Sequence, residues 1–288
     1  MTLGPPMLWD RVLALDHLTL LDVAPPDLAV LAAGAGFDAV GLRIAPATAA
    51  ESPWPMSPGS PMLEETVRRC RDSGVTVLGT EAVRLTAEAD VAAAEPVLET
   101  AARLNARYVN AIGDDPDLGR LSDRFGRLAA MAAPYGIRAV IEFMAYKTVR
   151  TLDDALAVAA RSGGGGVLLD ALHVQRCGAD IGQIACMEPG LLGYLQLCDA
   201  PLHQPPGDAA AEARTGRLLP GDGELPLTAL LSAVPPGTPV AIEAPSVSLR
   251  GELTPAQFAA SARRSLDRVL ARWRDQHDTY GQHTNVAD

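Results

Sequence analysis

Four short apolar segments of this chain each end on a side chain whose oxygen atom could bind a metal ion. The segments AVIE, VLLD, GYLQ and VAIE end at Glu142, Asp170, Gln196 and Glu243. A short apolar run is typical of a buried strand, and the polar residue at its carboxyl end faces the space above the sheet. Carboxylate and amide oxygens are the ligands that Mg²⁺ and Mn²⁺ prefer. The four positions together predict a site for one divalent cation.

Helix-like and strand-like segments alternate along the chain and would position these side chains. Helical patterns end at a glycine or a polar turn and lead directly into short β-branched runs, as at residues 35–43 and 73–79. This is the usual chemistry of a loop from a helix to a strand. Strands that alternate with helices pair in parallel, and eight such units predict a single (β/α)₈ TIM barrel. The strands are expected near residues 12, 38, 75, 107, 137, 165, 192 and 238.

The barrel is predicted to span residues 1–275, followed by a polar C-terminal tail at residues 276–288. A doubly wound open sheet is the alternative arrangement of the same elements. It is disfavoured because no G-x-G-x-x-G motif follows any strand. Two long segments, at residues 46–61 and 199–223, are expected to be loops, and loops of this length often cover or bind a ligand.

The composition excludes several classes of function. The formal net charge of −11 argues against a nucleic-acid partner, which would need a basic face. No signal peptide and no apolar segment of bilayer length is recognisable, which argues against a membrane partner. The four cysteines form no C-x-x-C pair and indicate no disulfide framework. We therefore expect a cytoplasmic protein that acts on a small molecule, with a homodimer as an open alternative.

Other polar residues are expected near the same site, because the active sites of such barrels lie at the carboxyl ends of the strands. The first three strands end near His17, Arg43 and Glu81. His17 is as compatible with packing as with a place in the site. Lys147, the only lysine of the chain, follows Glu142 in what should be an active-site loop. These four residues are candidates for contacts to the substrate.

From AGFDAVG at residues 35–41 to IEAP at residues 242–245, the chain resembles the xylose isomerase-like TIM barrels. That family includes sugar isomerases and epimerases, inosose and 3-dehydroshikimate dehydratases, and a DNA-repair endonuclease branch. Its D-x-x-H element matches Asp170 to His173, which implies that His173 contacts a substrate oxygen. The resemblance also implies one bound divalent metal, Mn²⁺ or Mg²⁺ before Co²⁺ or Zn²⁺, held by Glu142, Asp170, Gln196 and Glu243.

Two features are more similar to the dehydratase branch than to the epimerases. Gln196 stands where the epimerases usually have histidine, and RTGRLLPGDG at residues 214–223 is similar to the R-x-x-R-x-x-P-G-x-G stretch of the dehydratases. Arginines suit a substrate carboxylate or phosphate because a planar guanidinium can bind two oxygens at once. Arg214 and Arg217 are therefore further candidates for substrate binding.

The leading hypothesis is a metal-dependent isomerase or epimerase that enolises a small polyhydroxylated keto compound, since this activity is widespread in the family. Glu142 and Glu243 are the expected acid–base pair: one takes the proton next to the carbonyl and the other returns it. Loss of a β-hydroxyl from the same intermediate would make the protein a dehydratase, which is the alternative. A non-catalytic metal-binding partner protein is the remote alternative. An endonuclease is disfavoured because the chain has neither the additional metal ligands nor the basic face.

Overall fold

Eight parallel strands form a closed barrel in the computed structural model, which describes residues 11–48 and 51–283. The strands are β1 (Leu13–Asp16), β2 (Ala39–Arg43), β3 (Thr76–Thr86), β4 (Tyr108–Asp114), β5 (Arg138–Glu142), β6 (Gly166–Asp170), β7 (Leu192–Leu197) and β8 (Val240–Ile242). Each strand pairs with the next along the chain, and β8 pairs with β1 to close the ring. Helices connect the strands, so the predicted (β/α)₈ barrel is confirmed.

The helices begin and end where side chains or glycines satisfy the free backbone groups. Gly36 and Gly74 each follow a helix in the left-handed conformation, with φ of 86° and 74°. Thr151 and Asp154 form a capping box, in which each side chain accepts a hydrogen bond from the backbone N–H of the other. The described α-helices are α1 (Pro25–Ala35), α2 (Pro61–Ser73), α3 (Glu95–Arg103), α4 (Leu118–Ala132), α5 (Leu152–Arg161), α6 (Ala171–Arg176), α7 (Ile181–Ala185), α8 (Ala209–Thr215), α9 (Leu227–Ala233), α10 (Val247–Glu252) and α11 (Pro255–His283).

One buried residue from each strand fills the interior of the barrel. The rings of Tyr108 and Tyr194 lie 5.2 Å apart, while β1, β2 and β8 contribute only alanine, so large side chains on one side are matched by small ones on the other. We call these residues the floor layer, because the candidate site lies above them. The layer consists of Ala14, Ala39, Leu78, Tyr108, Val140, Leu168, Tyr194 and Ala241.

The residues two positions further along each strand form a second layer, which is polar. Side chains in a strand alternate with a period of two, so these residues point to the same side as the floor layer. Seven of the eight carry an oxygen or an amide, and the eighth is glycine. The change from apolar to polar within two residues places the candidate site at the carboxyl end of the barrel. The polar layer consists of Asp16, Gly41, Thr80, Asn110, Glu142, Asp170, Gln196 and Glu243.

The segment at residues 199–223 is more ordered than the predicted loop. It contains the helix α8 and an antiparallel bridge between Asp199 and Leu218. Asp199 is buried, and its carboxylate accepts hydrogen bonds from the backbone N–H groups of Gly221 and Leu225. These bonds fix the segment against the end of β7.

The other predicted loop, at residues 46–61, and the predicted C-terminal tail lie partly beyond the described residues. The segment at residues 46–61 connects β2 to α2, as predicted, with residues 49 and 50 outside the described part. The helix α11 continues to His283, so the boundary expected at residue 275 lies inside a helix, and residues 284–288 lie outside the described part. Among the described helices, none has the length and apolar character needed to cross a bilayer.

Replacing Tyr194 with alanine would remove one of the largest side chains of the floor layer. We expect Tyr194→Ala to lower the free energy of unfolding by about 3–5 kcal/mol, the usual cost of truncating a buried aromatic residue. Urea unfolding followed by circular dichroism measures this loss. Tyr135, which is 38% exposed, offers the matched control, and Tyr135→Ala should cost about 1 kcal/mol or less. Equal losses in the two variants would contradict a close-packed floor.

Candidate active site

A cavity of about 260 Å³ opens above the polar layer at the carboxyl ends of the strands. Its wall includes Glu142 and Glu243, the two acids predicted to move protons. Asp170 and Gln196, the other two predicted metal ligands, are completely buried behind this wall. All four side chains therefore lie at one end of the barrel, around a cavity that suits a small molecule.

More negative than positive charge is buried around this cavity. The guanidinium groups of Arg43 and Arg217 face five carboxylates, so three negative charges are uncompensated when all these groups are ionised. Burial, together with this repulsion, raises the pKa of Asp16 and of Glu243 and raises the pKa of Glu142 to about 8. The five carboxylates, each at most 6% exposed, belong to Asp16, Glu81, Glu142, Asp170 and Glu243.

Arg217 connects two of the strand-end acids. Its Nη1 donates to Oδ2 of Asp170 at 2.5 Å, and its Nη2 lies 3.1 Å from Oε2 of Glu243. Its Nε donates to the carbonyl oxygen of Ala213 at 2.7 Å. Burial alone would raise the pKa of Asp170, but Arg217 and His173 outweigh it and hold that pKa below its usual range. The guanidinium predicted to bind substrate is thus engaged by acids of the protein itself.

Gln196 is buried among three acids. Its Nε2 donates to Oδ2 of Asp16 at 2.7 Å and lies 3.1 Å from Oε1 of Glu243 and 3.4 Å from Oε1 of Glu81. Its amide oxygen accepts no hydrogen bond from any described residue. A buried oxygen without a partner is costly, which indicates that something that binds in the site completes its interactions.

Glu142 is held by Asn110, whose Nδ2 donates to Oε2 at 3.0 Å. On the other side, Nε2 of His173 lies 3.7 Å from Oε1 of Glu142. His173 stands in α6, directly after β6, and its ring packs edge to face with the Tyr146 ring, with the two ring centroids 5.7 Å apart. Burial lowers the pKa of His173 to about 4, so the ring is neutral near neutral pH. His173 lines the cavity, where it could contact a substrate oxygen as the sequence predicts.

Three other predicted contact residues line the cavity, but each is already paired. Nε of Arg43 donates to Oε2 of Glu81 at 3.0 Å, and its Nη1 lies 3.2 Å from Glu51. Nζ of Lys147 donates to Oδ2 of Asp114 at 2.6 Å. Arg43, Glu81 and Lys147 therefore reach the cavity as ion pairs rather than as isolated charges.

Arg214 and His17 have opposite surroundings. Arg214 is an exposed residue of the cavity wall, with its guanidinium 5.7 Å from the centre of the Tyr146 ring and no salt bridge within the described part of the chain. His17 is completely buried: its Nε2 donates to the carbonyl oxygen of Val23 and its Nδ1 accepts from the backbone N–H of Arg43. Because backbone groups occupy both ring nitrogens, the geometry favours packing over a substrate contact for His17.

The match to a known family covers most of the chain. Residues 29–268 match the model of the xylose isomerase-like TIM barrel family. The chain belongs to this family. The resemblance expected from the sequence is therefore confirmed. A search of curated proteins finds no significant match.

Solved structures of the family share the fold at low sequence identity. A xylose isomerase-like TIM barrel/4-hydroxyphenylpyruvate dioxygenase fusion protein has a TM-score of 0.78 and 20% identity over 94% of this chain, which covers only 44% of that protein. The IolI protein, solved with a zinc atom, has a TM-score of 0.76 and 18% identity over 91% of this chain and 99% of its own. A D-psicose 3-epimerase, solved in the presence of D-fructose, has a TM-score of 0.70 and 17% identity over 89% of this chain and 97% of its own.

The residues of this family member fit a divalent cation. Two neighbouring sets of three side chains have potential ligand atoms within 4.8 Å of one another. The uncompensated negative charge and the unpartnered oxygen of Gln196 both suit a hard cation. Of the four predicted ligands, Glu142 and Asp170 belong to the first set and Glu243 to the second, while Gln196 belongs to neither and donates to the acids of the second. The sets are Glu142, Asp170 and His173, and Asp16, Glu81 and Glu243.

Two residues of the site, Asp16 and Asn110, were not among the predicted site residues. Asn110 holds Glu142, and Asp16 holds Gln196. The sequence feature that could have identified them is their position two residues after a floor-layer residue, as Asp16 follows Ala14. The segment LALD of β1 has the same pattern as the four metal-ligand segments, an apolar run that ends on an acid.

We expect the metal-free protein to lose stability as the pH rises, because the pKa of Glu142 is about 8 in the fold against an ordinary 4.5. The unfolded chain releases this proton near pH 4.5, whereas the folded chain keeps it until about pH 8. The free energy of unfolding should therefore fall between these values and level off above them. Glu142→Gln cannot ionise and should reduce the fall, leaving the contributions of Asp16 and Glu243.

Urea unfolding across this pH range, with a chelator present, measures the slope. Glu99→Gln, on the exposed face of α3, is the matched control and should keep the wild-type slope. An unchanged slope in Glu142→Gln would contradict the raised pKa of Glu142.

Proposed function

We propose that the protein is a divalent-metal-dependent isomerase or epimerase of a small polyhydroxylated keto compound. The observation that carries this proposal is the presence of two acids, Glu142 and Glu243, on the wall of one cavity with uncompensated negative charge. Such a pair can take a proton next to a carbonyl and return it. The similar folds of D-psicose 3-epimerase, L-ribulose 3-epimerase and the zinc-containing IolI protein support the choice.

Glu142, Asp170, Gln196 and Glu243 would hold the cation through oxygen atoms. Mn²⁺ and Mg²⁺ suit this set best, with Co²⁺ and Zn²⁺ as alternatives. Asp170 keeps acceptor capacity on Oδ2. A carboxylate offers about four lone-pair positions; Oδ1 accepts from the backbone N–H groups of Leu172 and His173, and Arg217 uses one position on Oδ2. When bound, the ion would polarise the substrate carbonyl as a Lewis acid.

The side chains of the protein would bind the substrate and move the proton. Asn110 fixes Oε2 of Glu142, which leaves Oε1 to take the proton when Glu142 is ionised. Neutral His173, next to Oε1, would contact a substrate oxygen. Arg217 holds Glu243 through Oε2, so the second acid is oriented for the return of the proton. Return to the opposite face gives an epimer, and return to the neighbouring carbon gives an isomer.

We expect the purified protein to bind one Mn²⁺ per chain and to interconvert ketoses, and Asp170→Ala to lose both properties. Elemental analysis and calorimetric titration with Mn²⁺ measure binding, and chromatography after incubation with D-fructose, D-psicose and L-ribulose measures turnover. Asp180→Ala is the matched control, because Asp180 also caps a helix, α7, but is itself exposed. Absence of Mn²⁺ binding by the wild type would overturn the proposal. Binding without turnover of any substrate would favour the non-catalytic alternative.

A metal-dependent dehydratase is the second candidate, and Arg214 is the observation that favours it. Arg43, Lys147 and Arg217 are paired with acids, whereas Arg214 carries its charge on the cavity wall without a salt bridge among the described residues. A free guanidinium suits a substrate with a carboxylate, such as 3-dehydroshikimate, better than a neutral sugar. Of the two arginines predicted for this role, the geometry favours Arg214.

Incubation with 3-dehydroshikimate separates the two candidates, because a dehydrated conjugated product absorbs ultraviolet light. If the substrate carries a carboxylate, Arg214→Gln should raise its KM by about 10- to 100-fold, the usual value of a charged hydrogen bond. Arg127→Gln, at an exposed arginine of α4, is the matched control and should leave KM unchanged. An unchanged KM in Arg214→Gln would remove the support for an anionic substrate.

A further inference from the structure

The structure assigns to Asp16 the role of a positioning residue, which orients the amide of Gln196 so that its oxygen is presented to the divalent cation. This inference rests on the metal-dependent function proposed above. Asp16 acts through Gln196, and its carboxylate is not required to contact the substrate. The argument depends on the chemistry of an amide ligand, on the contacts of Asp16 and on the space beside it.

An amide ligand needs orientation in a way that a carboxylate ligand does not. Only one end of the Gln196 side chain can bind a cation, while the two oxygens of a carboxylate are equivalent. Nε2 of Gln196 is surrounded by three carboxylate oxygens at 2.7, 3.1 and 3.4 Å. The reverse orientation would place the amide oxygen against three carboxylate oxygens, which repel it when the acids are ionised, as they would be beside a bound cation. The ionised acids therefore favour the orientation in which Nε2 faces them. The amide oxygen is then left without a hydrogen-bond partner among residues 11–48 and 51–283, as a cation ligand requires.

Asp16 makes the shortest of these three contacts and has no other described side-chain hydrogen bond. Its Oδ2 accepts from Gln196 at 2.7 Å, and its Oδ1 has no hydrogen-bond partner in the described part of the chain. Glu81 is also paired with Arg43, and Glu243 with Arg217. Asp16 lies on β1 and Gln196 on β7, two strands apart in the barrel, and both are completely buried. The hydrogen bond from Gln196 is therefore the one described side-chain hydrogen bond of Asp16.

Gly41 provides the space that Asp16 occupies. A Cβ atom at this position would lie 1.9 Å from Oδ1 of Asp16 and 2.9 Å from its Cγ. Any other residue would displace the carboxylate. A glycine inside a strand weakens the strand, and here it marks a close approach by a side chain of the neighbouring strand. The absence of a side chain at Gly41 thus lets the Asp16 carboxylate stay where it accepts the hydrogen bond from Nε2 of Gln196.

The test is the dissociation constant for Mn²⁺, measured by calorimetry on the full chain. We expect Asp16→Ala to weaken binding about 10- to 100-fold, the usual effect of losing a group that orients a metal ligand. Asp16→Asn keeps an oxygen that can accept from Nε2 and should retain more affinity than Asp16→Ala. A purely electrostatic role would make the two variants equal. Asp114→Asn, which removes a charge paired with Lys147, gives the baseline for charge alone.

Substitution of the ligand itself separates orientation from structure. In a Gln196→Glu background the ligand no longer needs orientation, so adding Asp16→Ala should not weaken Mn²⁺ binding further. A merely structural role of Asp16 would weaken binding equally in both backgrounds and would overturn the inference. Gly41→Ala should reproduce the loss with Asp16 intact, which covers the case in which Asp16→Ala does not fold. Gly34→Ala is its control, because a Cβ there would meet no described atom within 4 Å apart from its chain neighbours and the backbone of its own helix.

The outcomes distinguish the two proposals. Wild-type protein that binds no Mn²⁺ would overturn the proposed function and, with it, the role of Asp16. If the wild type binds Mn²⁺ and Asp16→Ala binds it equally tightly, only the role of Asp16 is overturned. Circular dichroism melting curves of each variant show whether the fold is retained.

Discussion

The ion pairs of Arg217 with Asp170 and Glu243 are the interaction on which the geometry of the site depends. Buried carboxylates are costly unless a cation and hydrogen bonds offset their loss of hydration. The guanidinium of Arg217, itself 2% exposed, offsets this cost for two acids at the ends of different strands and keeps both carboxylates at defined positions. Removing the guanidinium would leave two buried anions side by side.

Arg217 can occupy this position because the segment that carries it is anchored. Asp199, two residues after β7, accepts hydrogen bonds from the backbone N–H groups of Gly221 and Leu225. It also forms the antiparallel bridge to Leu218, which fixes the backbone next to Arg217. A long segment of this kind pays a closure entropy, which its internal bonds offset. The polarity of the site and the order of this segment are therefore linked.

The floor layer contributes to the same result from below. Tyr108 and Tyr194 fill the centre of the barrel, so the polar layer rests on a dry, close-packed surface. Charges in such a place interact strongly because little water screens them. This is the setting in which an acid pair, a neutral histidine and a bound cation could act on a carbonyl compound. The uncompensated charge of the five acids is the feature that most favours a cation in the proposed function.

Sequence alone determined the fold and the strand ends of this protein. Glycines after helices and apolar runs that end on acids predicted eight strands, and Glu142, Asp170, Gln196 and Glu243 do lie together at the carboxyl end, because every parallel strand of a barrel ends at the same rim. Only the tertiary structure decided which neighbours each side chain has. It paired Arg217 with acids of the protein rather than leaving it free, placed both nitrogens of His17 against backbone groups, and brought Asp16 to Gln196 from 180 residues away. These contacts join strands and loops distant in the chain, and local sequence patterns carry no information about which side chains meet across a barrel.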